Sequence, residues 1–288
     1  MKRCLRCEAS FASPEWTCTS CGRGPETRDG HLVFAPELAA GGFGDAEYTF
    51  DAIVAAEARH FWFDSRRRLV LWALGRHLAR ARSLLEVGCG TGYVLEGVRA
   101  AFSGLSLAGS DVLVASLARA RPRLPGVELF QMDARRIPFR EEWDAVLALD
   151  VIEHIAEDEA ALAEMSRALR PGGVLVLTVP QHPWLWTPID DWSGHHRRYT
   201  RRELVTKVER AGLRVEHVTS FSSLLLPLQL LARWRQTPEN LDPGAELRIA
   251  AWMNALLRIP SALERGLIRA GLSFPVGGSL LVAARRAS

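Results

Sequence analysis

Leu84-Leu85-Glu86-Val87-Gly88-Cys89-Gly90-Thr91-Gly92 is the stretch on which the reading of this chain turns. An apolar run of strand length passes directly into a GxGxG loop. Glycines in such a loop let the backbone approach a ligand closely and let the next helix start against the strand. Dinucleotide enzymes also use loops of this kind, so the residues around it carry the weight. Glu86 sits just before the first glycine. Asp111 follows the second strand-like run, where a carboxylate can accept both hydroxyls of a ribose. Met132-Asp133-Ala134 ends the third, where Asp133 can accept from an adenine amino group, and a fourth ends near Asp150.

Outward from the loop, apolar strand-like runs at 83–87, 105–109, 127–131, 145–149 and 174–179 alternate with helical patterns at 92–102, 112–120 and 157–169. That alternation predicts a parallel sheet covered on both faces. Arg170-Pro171-Gly172-Gly173 is expected to stop the last of these helices and turn it into the fifth strand. A helix at 201–211, a strand at 213–220 and a final strand at 279–284 follow, with a helical insertion at about 221–275 between the last two. Upstream, 51–60 and 64–82 are predicted helical, the latter with Leu69, Trp72 and Leu78 among Arg66, Arg67 and Arg76. Residues 36–44 form a linker rich in Pro and Gly.

Glu86 to Gly92, Asp111, Asp133, Asp150 and Leu169-Arg170-Pro171-Gly172-Gly173 fall in order and together resemble the class I S-adenosylmethionine (SAM) methyltransferases over about 83–220. The resemblance implies an α/β, Rossmann-like methyltransferase sheet of seven strands, the last antiparallel, with helices on both faces and ligand at the carboxyl ends of the strands. It implies that Gly88, Gly90 and Gly92 hold the methionine part of SAM. Glu86, Asp111, Asp133, Ala134 and Asp150 complete the cofactor-binding set. Cys89 joins them as a small residue that offers its backbone; a reactive thiol is the alternative.

Four of the five cysteines lie at the start, in Cys4-Leu-Arg-Cys7 and Cys18-Thr-Ser-Cys21-Gly22. Two CxxC knuckles facing each other can close a tetrahedral sulfur shell around a structural Zn2+, with a redox dithiol as the competing reading. The segment from Cys4 to Phe34 resembles the zinc ribbons in front of some rRNA guanine methyltransferases and in the activator subunit of several methyltransferases. The expected organisation is therefore a zinc ribbon at 1–36 with its own core, an N-terminal helical segment at 45–82, and a SAM-dependent methyltransferase domain at 83–288.

The methyl acceptor is expected beyond the fourth strand. Asp150-Val151-Ile152-Glu153-His154 resembles the ExxEH motif of ubiquinone-biosynthesis O-methyltransferases and small-RNA 3′-end methyltransferases, where it binds a divalent metal. Here the structural hydrogen-bonded pair leads, ahead of a base or substrate contact at His154 and of an Mg2+ site at Asp150, Glu153 and His154. The aromatic and basic run from Val179 through Trp184, Trp186 and Asp190 to Gly194-His195-His196-Arg197-Arg198-Tyr199 is long for a connection. It resembles the LW…D…GHxRRY signature of bacterial methyltransferases. His195 is the first choice for the catalytic base and Tyr199 for a hydrogen-bond donor to the acceptor, against capping or packing roles.

Lys and Arg total 36 against 33 Asp and Glu, a net charge of +3, which excludes a polybasic nucleic-acid binder by composition. The start of the chain lacks an apolar signal core, and the apolar stretch at 221–231 is too broken to span a bilayer. A cytoplasmic enzyme is expected, with peripheral contact at the inner membrane surface as an option. Methyl transfer to a hydroxyl of a small-molecule or lipid-linked acceptor leads. An RNA methyltransferase using the ribbon and the arginines at 135–136 and 197–202 is the alternative, and a non-catalytic SAM-binding scaffold the third. The insertion either packs on the sheet edge and Trp72 or forms a cap whose apolar face covers a greasy acceptor or meets a membrane surface.

Overall fold

The structure, a computed structural model, describes residues 1–39, 46–78, 81–233, 244 and 247–288, with backbone only at 46–50 and 232–233. Four short strands come first: β1 (Lys2–Arg3) pairs antiparallel with β2 (Ser10–Phe11), and β3 (Glu26–Arg28) with β4 (His31–Val33). Helices α1 (Ala46–Glu57) and α2 (Phe61–His77) precede the alternation. It runs β5 (Ser83–Val87), α3 (Tyr93–Ala101), β6 (Ser106–Asp111), α4 (Val114–Ala120), β7 (Glu128–Gln131), β8 (Trp143–Leu149), α5 (Asp158–Ala168) and β9 (Leu169–Pro180). The chain closes with α6 (Pro188–Trp192), α7 (Arg201–Arg210), β10 (Leu213–Phe221), α8 (Leu226–Arg233), α9 (Ala251–Arg269) and β11 (Ser279–Arg286).

The main sheet has the order β10-β11-β9-β8-β5-β6-β7-β4-β3. Strands β5 to β9 are parallel, and β11 lies antiparallel between β9 and β10. Its central strands are buried on both faces, which is why they read as unbroken apolar runs. Successive side chains supply opposite cores: Leu85, Val146 and Leu177 one side, Leu84, Leu147 and Val176 the other. The parallel strands all end on the side where the glycine loop, Asp111, Met132 and Asp150 lie.

Two strands join the seven that were expected. β4 adds in parallel to β7, with Leu32 opposite Phe130 and Val33 opposite Gln131, and β3 follows it. The Gln131 amide clamps Ala35 from both sides, accepting from its N–H at 3.0 Å and donating to its carbonyl at 2.9 Å. Trp16 packs edge-on against Phe34, Phe130 and Phe139 with ring centroids 4.7, 5.6 and 5.4 Å away. Buried Arg3 grips Glu164 of α5 through two hydrogen bonds. The expected separate core of the cysteine segment is thus corrected. Its own apolar cluster is only Cys4, Phe11 and Cys18 with Ala9 against it, too little to stand alone, so it shares the core of the larger sheet.

Element boundaries shift in places. The helix expected at 51–60 occupies Ala46–Glu57, and the next begins at Phe61, where His60 Nδ1 accepts from Trp62 N–H. Ala79 and Arg80, placed in that helix by the sequence, lie outside the described residues, as do Gly42 and Gly44 of the linker and Trp234, Arg235 and Ala245 of the insertion. In the insertion, α9 lies along α2: Asn254 Oδ1 accepts from Phe61 N–H at 2.7 Å, and Arg258 donates to the Arg59 carbonyl at 2.8 Å. Glu264 accepts from the backbone N–H groups of Ser222 and Ser223 and anchors the helix to the end of β10. Among the described residues no helix is long and apolar enough to cross a membrane.

Candidate functional site

The loop after β5 is held in a shape that favours glycine. Gly88, Gly90 and Gly92 have φ of 71°, 52° and 77°. A Cβ on Gly88 would lie 2.4 Å from Val151, and one on Gly92 would lie 2.8 Å from Leu124, so both are fixed by packing as well as by backbone. Gly90 differs: a Cβ there would meet nothing within 4 Å, because it faces the open cavity. Cys89 is buried, and burial pushes its thiol well above the ordinary range, with Asp111 and Glu86 adding to the effect. Its backbone N–H donates to the Ser110 carbonyl at 2.8 Å, so the residue serves the loop through its main chain and small size.

Asp111, at the end of β6, accepts from Gly90 N–H and Leu113 N–H, each at 3.0 Å, one on each carboxylate oxygen. A carboxylate has about four acceptor positions, so it keeps capacity for two ligand hydroxyls. Glu86 is buried beneath the loop with Oε2 unpartnered, and burial raises its carboxyl to about 8 despite the nearby Arg66. Asp133 lies in the cavity wall, but Arg135 takes both of its oxygens and also reaches Glu157. Ala134 lines the cavity beside it. Asp150 adopts φ 55°, an uncommon conformation for a residue with a side chain. Its carboxylate pairs with Arg66 and accepts from Thr178 Oγ1 at 3.1 Å.

These groups share one cavity of about 1010 Å³ that runs from the glycine loop to the segment after β9. That is at the upper end of ligand-pocket volumes, with room for two molecules side by side. On the far side, Glu153, His154 and His195 converge, with ligand-capable atoms all within 4.8 Å of one another. The rings of His154 and His195 lie 4.7 Å apart, edge to face. Glu153 is fully buried with both carboxylate oxygens unpartnered, and burial raises it to about 8. Burial, aided by the charge of His195, pushes His154 down to about 4, so its ring is neutral near pH 7. Asp150, spent on Arg66, stands outside this group, which corrects the expected set Asp150, Glu153 and His154.

Behind His195 stands Asp190 of α6. Pro188 at the start of that helix and the Thr187–Asp190 capping box fix its first turn. Thr187 N–H and Oγ1 donate to one oxygen of Asp190, and His195 Nδ1 lies 2.8 Å from the other, which Arg198 also reaches at 2.8 Å. Burial alone would raise this carboxyl, but the His195 and Arg198 bonds overcome it and hold it at about 2. An ionised carboxylate only accepts, so Nδ1 of His195 must donate, and Nε2 is the only ring nitrogen that can act as an acceptor.

Tyr199 does not belong to the site. It is fully buried, and its hydroxyl donates to Asp158 Oδ2 at 2.7 Å, while Arg197 and Lys207 pair with the same carboxylate. The expected donor to the acceptor is a core residue that ties the loop to α5.

Sequence reasoning missed the wall supplied by α1 and α2. Arg66 is half-buried, stacks over Trp62 at 4.7 Å, pairs with Asp150, and sits within electrostatic reach of Glu86 and Glu153. Glu57 accepts from Thr91 and pairs with Arg123. Arg66 read as one of several surface arginines on an amphipathic helix, and only the fold brings it under the acidic loop ends. Leu228, Gln229 and Leu257 of the insertion roof the same cavity.

The geometry agrees with what the chain is similar to. Residues 85–177 match the family profile described as "Methyltransferase domain". A Mycolicibacterium smegmatis protein named "Probable S-adenosylmethionine-dependent methyltransferase" is 32% identical over 162 residues, covering 54% of this chain and 61% of that relative. The match thus spans about three fifths of that relative's length. The "Ubiquinone biosynthesis O-methyltransferase" of Methylobacterium nodulans is 29% identical over 212 residues, 67% of this chain and 78% of the relative. Among solved structures, that of "the [4+2]-Cyclase SpnF" superposes with a TM-score of 0.57 at 19% identity, over 86% of this chain and 97% of that one.

Proposed function

We propose that this chain, whose residues 85–177 form a methyltransferase domain of the SAM-dependent type, moves the methyl group of SAM to a hydroxyl of a partly hydrophobic small-molecule or lipid-linked acceptor. The observation that carries the reading is the Asp190–His195 pair, facing the same cavity as the glycine loop. SAM, when bound, supplies a methyl group activated on a sulfonium. The residues of the cradle suit it: Gly90 opens onto the cavity, Asp111 retains acceptor capacity for a ribose, and Ala134 and Asp133 border the place of a base. Arg135 would have to share Asp133 with an adenine amino group, so we assign Asp133 a weaker part than Asp111. The protein's contribution is then position and proton removal. Nε2 of His195 accepts the acceptor's proton as its oxygen attacks, and Asp190 stabilises the imidazolium that forms.

The apolar part of the cavity, including Leu228 and Leu257, supports a hydrophobic acceptor, as does the named activity of the Methylobacterium relative. The RNA reading loses support because most of its arginines are occupied: Arg135 on Asp133 and Glu157, Arg197 on Asp158, Arg198 on Asp190, Arg201 on the Phe274 carbonyl. Likeness to a structure titled a cyclase shows that the fold alone does not set the chemistry. Incubation with methyl-labelled SAM and cell extract split into lipid, small-molecule and RNA fractions tests the reading. Label should appear in the lipid or small-molecule fraction. Label confined to RNA, or none with SAM bound, would refute it.

Two metal sites accompany this reading. Cys4 and Cys21 sulfurs lie 3.6 Å apart and Cys7 and Cys18 sulfurs 3.7 Å. A regular S4 shell at the usual Zn–S length of about 2.3 Å has edges of about 3.8 Å, so the four cysteines fit a structural Zn2+. Glu153, His154 and His195 offer a second, open set for a divalent cation, favoured by the two unpartnered Glu153 oxygens. Calorimetric titration with Mn2+ separates base from metal. Saturable binding lost in Glu153→Gln supports the cation, and no binding leaves His195 as base alone.

A further inference from the structure

Helices α2 and α9 leave a groove of about 670 Å³ on the outside of the molecule, apart from the cavity described above. Its floor is apolar, with Leu71 and Trp72, and four arginines ring it: Arg68 and Arg76 from α2, Arg265 and Arg269 from α9. Arg68 pairs with Asp64 at 2.9 Å, and Arg265 donates to Ser65 Oγ at 2.7 Å. Arg76 lies over Trp72 at 5.5 Å, and Arg269 has no hydrogen bond or ion pair among the described residues. Four guanidinium groups therefore face two carboxylates, Asp64 and the buried Glu264, which already accepts from Ser222 and Ser223.

The groove borders an apolar stripe. On α9, Leu257, Ser261, Glu264 and Ile268 face inward, and Ala262, Arg265, Gly266 and Arg269 form the flank toward the groove. The opposite face carries Trp252, Leu256, Ile259 and Leu263, spaced 4, 3 and 4 residues apart and 68%, 56%, 66% and 57% exposed. Water gains nothing from such a row, and isolated surface leucines do not line up at helical spacing by accident of composition.

We propose that the groove and the stripe together dock the chain on an anionic phospholipid bilayer. The stripe lies among acyl chains, and the arginines hold lipid phosphates above it. The planar fork of arginine matches phosphate oxygens, and a helix with a Trp/Leu/Ile face beside arginines is suited to lie in a bilayer interface. Charge selects this occupant over the others. A second copy seated on the same face by two-fold symmetry would bring eight arginines together against four carboxylates. RNA would satisfy the arginines and leave the stripe in water.

Sedimentation of the full chain with vesicles tests this without reference to turnover, so it stands or falls apart from the methyl-transfer reading. The chain should pellet with vesicles of phosphatidylcholine and phosphatidylglycerol and stay in solution with phosphatidylcholine alone. Each arginine should contribute roughly fivefold to the partition. Arg76→Glu with Arg269→Glu should therefore weaken it by well over tenfold, and Ile259→Asp should abolish it. All variants should keep wild-type SAM affinity and melting temperature, which shows that they are folded. Wild type remaining in the supernatant, equal binding to neutral vesicles, or loss of lipid binding by Arg variants but not by Ile259→Asp would overturn the proposal. The last outcome, with binding to an oligoribonucleotide, would mark a nucleic-acid surface instead.

Discussion

His195 and Asp190 show how a role is set by a neighbour. Asp190 is fully buried, bonded on both oxygens, and held ionised to about pH 2, so it fixes which His195 nitrogen carries the proton. His195→Ala should lower turnover by about 10²–10⁴ with little change in SAM affinity, as loss of a general base does. Single-turnover kinetics beside calorimetry checks it, and near-normal turnover would move the role to His154. Arg66 compensates Asp150 in a half-buried setting beside Glu86 and Glu153. Breaking this half-buried pair should cost less than the roughly 3–5 kcal/mol of a fully buried one, so Arg66→Met should show a loss of about 1–3 kcal/mol in chemical denaturation. Burial holds Glu153 at about 8. A carboxyl with a folded pKa above its unfolded value of about 4.3 binds its proton more tightly when folded. Its contribution to stability is present below about pH 4 and lost as pH rises to about 8. Glu153→Gln should flatten the decline of melting temperature between about pH 5 and 8, and an unchanged slope would count against the buried, unpaired carboxyl.

At the level of elements, the glycine loop, its flanking strands and the closing β9–β11 region were legible because their signals are local. Periodicity, glycines at fixed offsets and acidic residues at strand ends need no knowledge of distant contacts. The α1–α2 wall was not legible, since an arginine on an amphipathic helix reads as solvated until the helix is placed. Tyr199 failed for the opposite reason: a polar tip in a chemically rich loop looked functional, whereas Asp158, 41 residues earlier, claims its hydroxyl. The cysteine knuckles were visible, but their attachment was not. β4 pairs with β7, about a hundred residues further along the chain, and Trp16 fills a slot between Phe34, Phe130 and Phe139. Trp16→Ala should therefore destabilise the entire domain by about 3–5 kcal/mol. Cys18→Ser should lower its melting temperature as well, in contrast to a detachable ribbon, and differential scanning calorimetry with one transition in both variants would show it.

For the whole molecule, one cavity joins three parts of the chain: α1 and α2 as a wall, the carboxyl ends of β5 to β9 as a floor, and α8 and α9 as a roof. The proposed cofactor and acceptor sites thus lie side by side in one cavity, the proximity that in-line methyl transfer needs. The same α9 that roofs the cavity through Leu257 turns its apolar stripe outward, so one helix carries both the cavity roof and the proposed bilayer contact.

The central claim is a SAM site built on the glycine loop and Asp111, and titration calorimetry of the purified chain with SAM tests it most directly. The account predicts saturable binding of one SAM per chain, competed by S-adenosylhomocysteine and weakened by about 1–3 kcal/mol in folded Asp111→Ala. No binding heat by wild type, or equal affinity in Asp111→Ala, would contradict it.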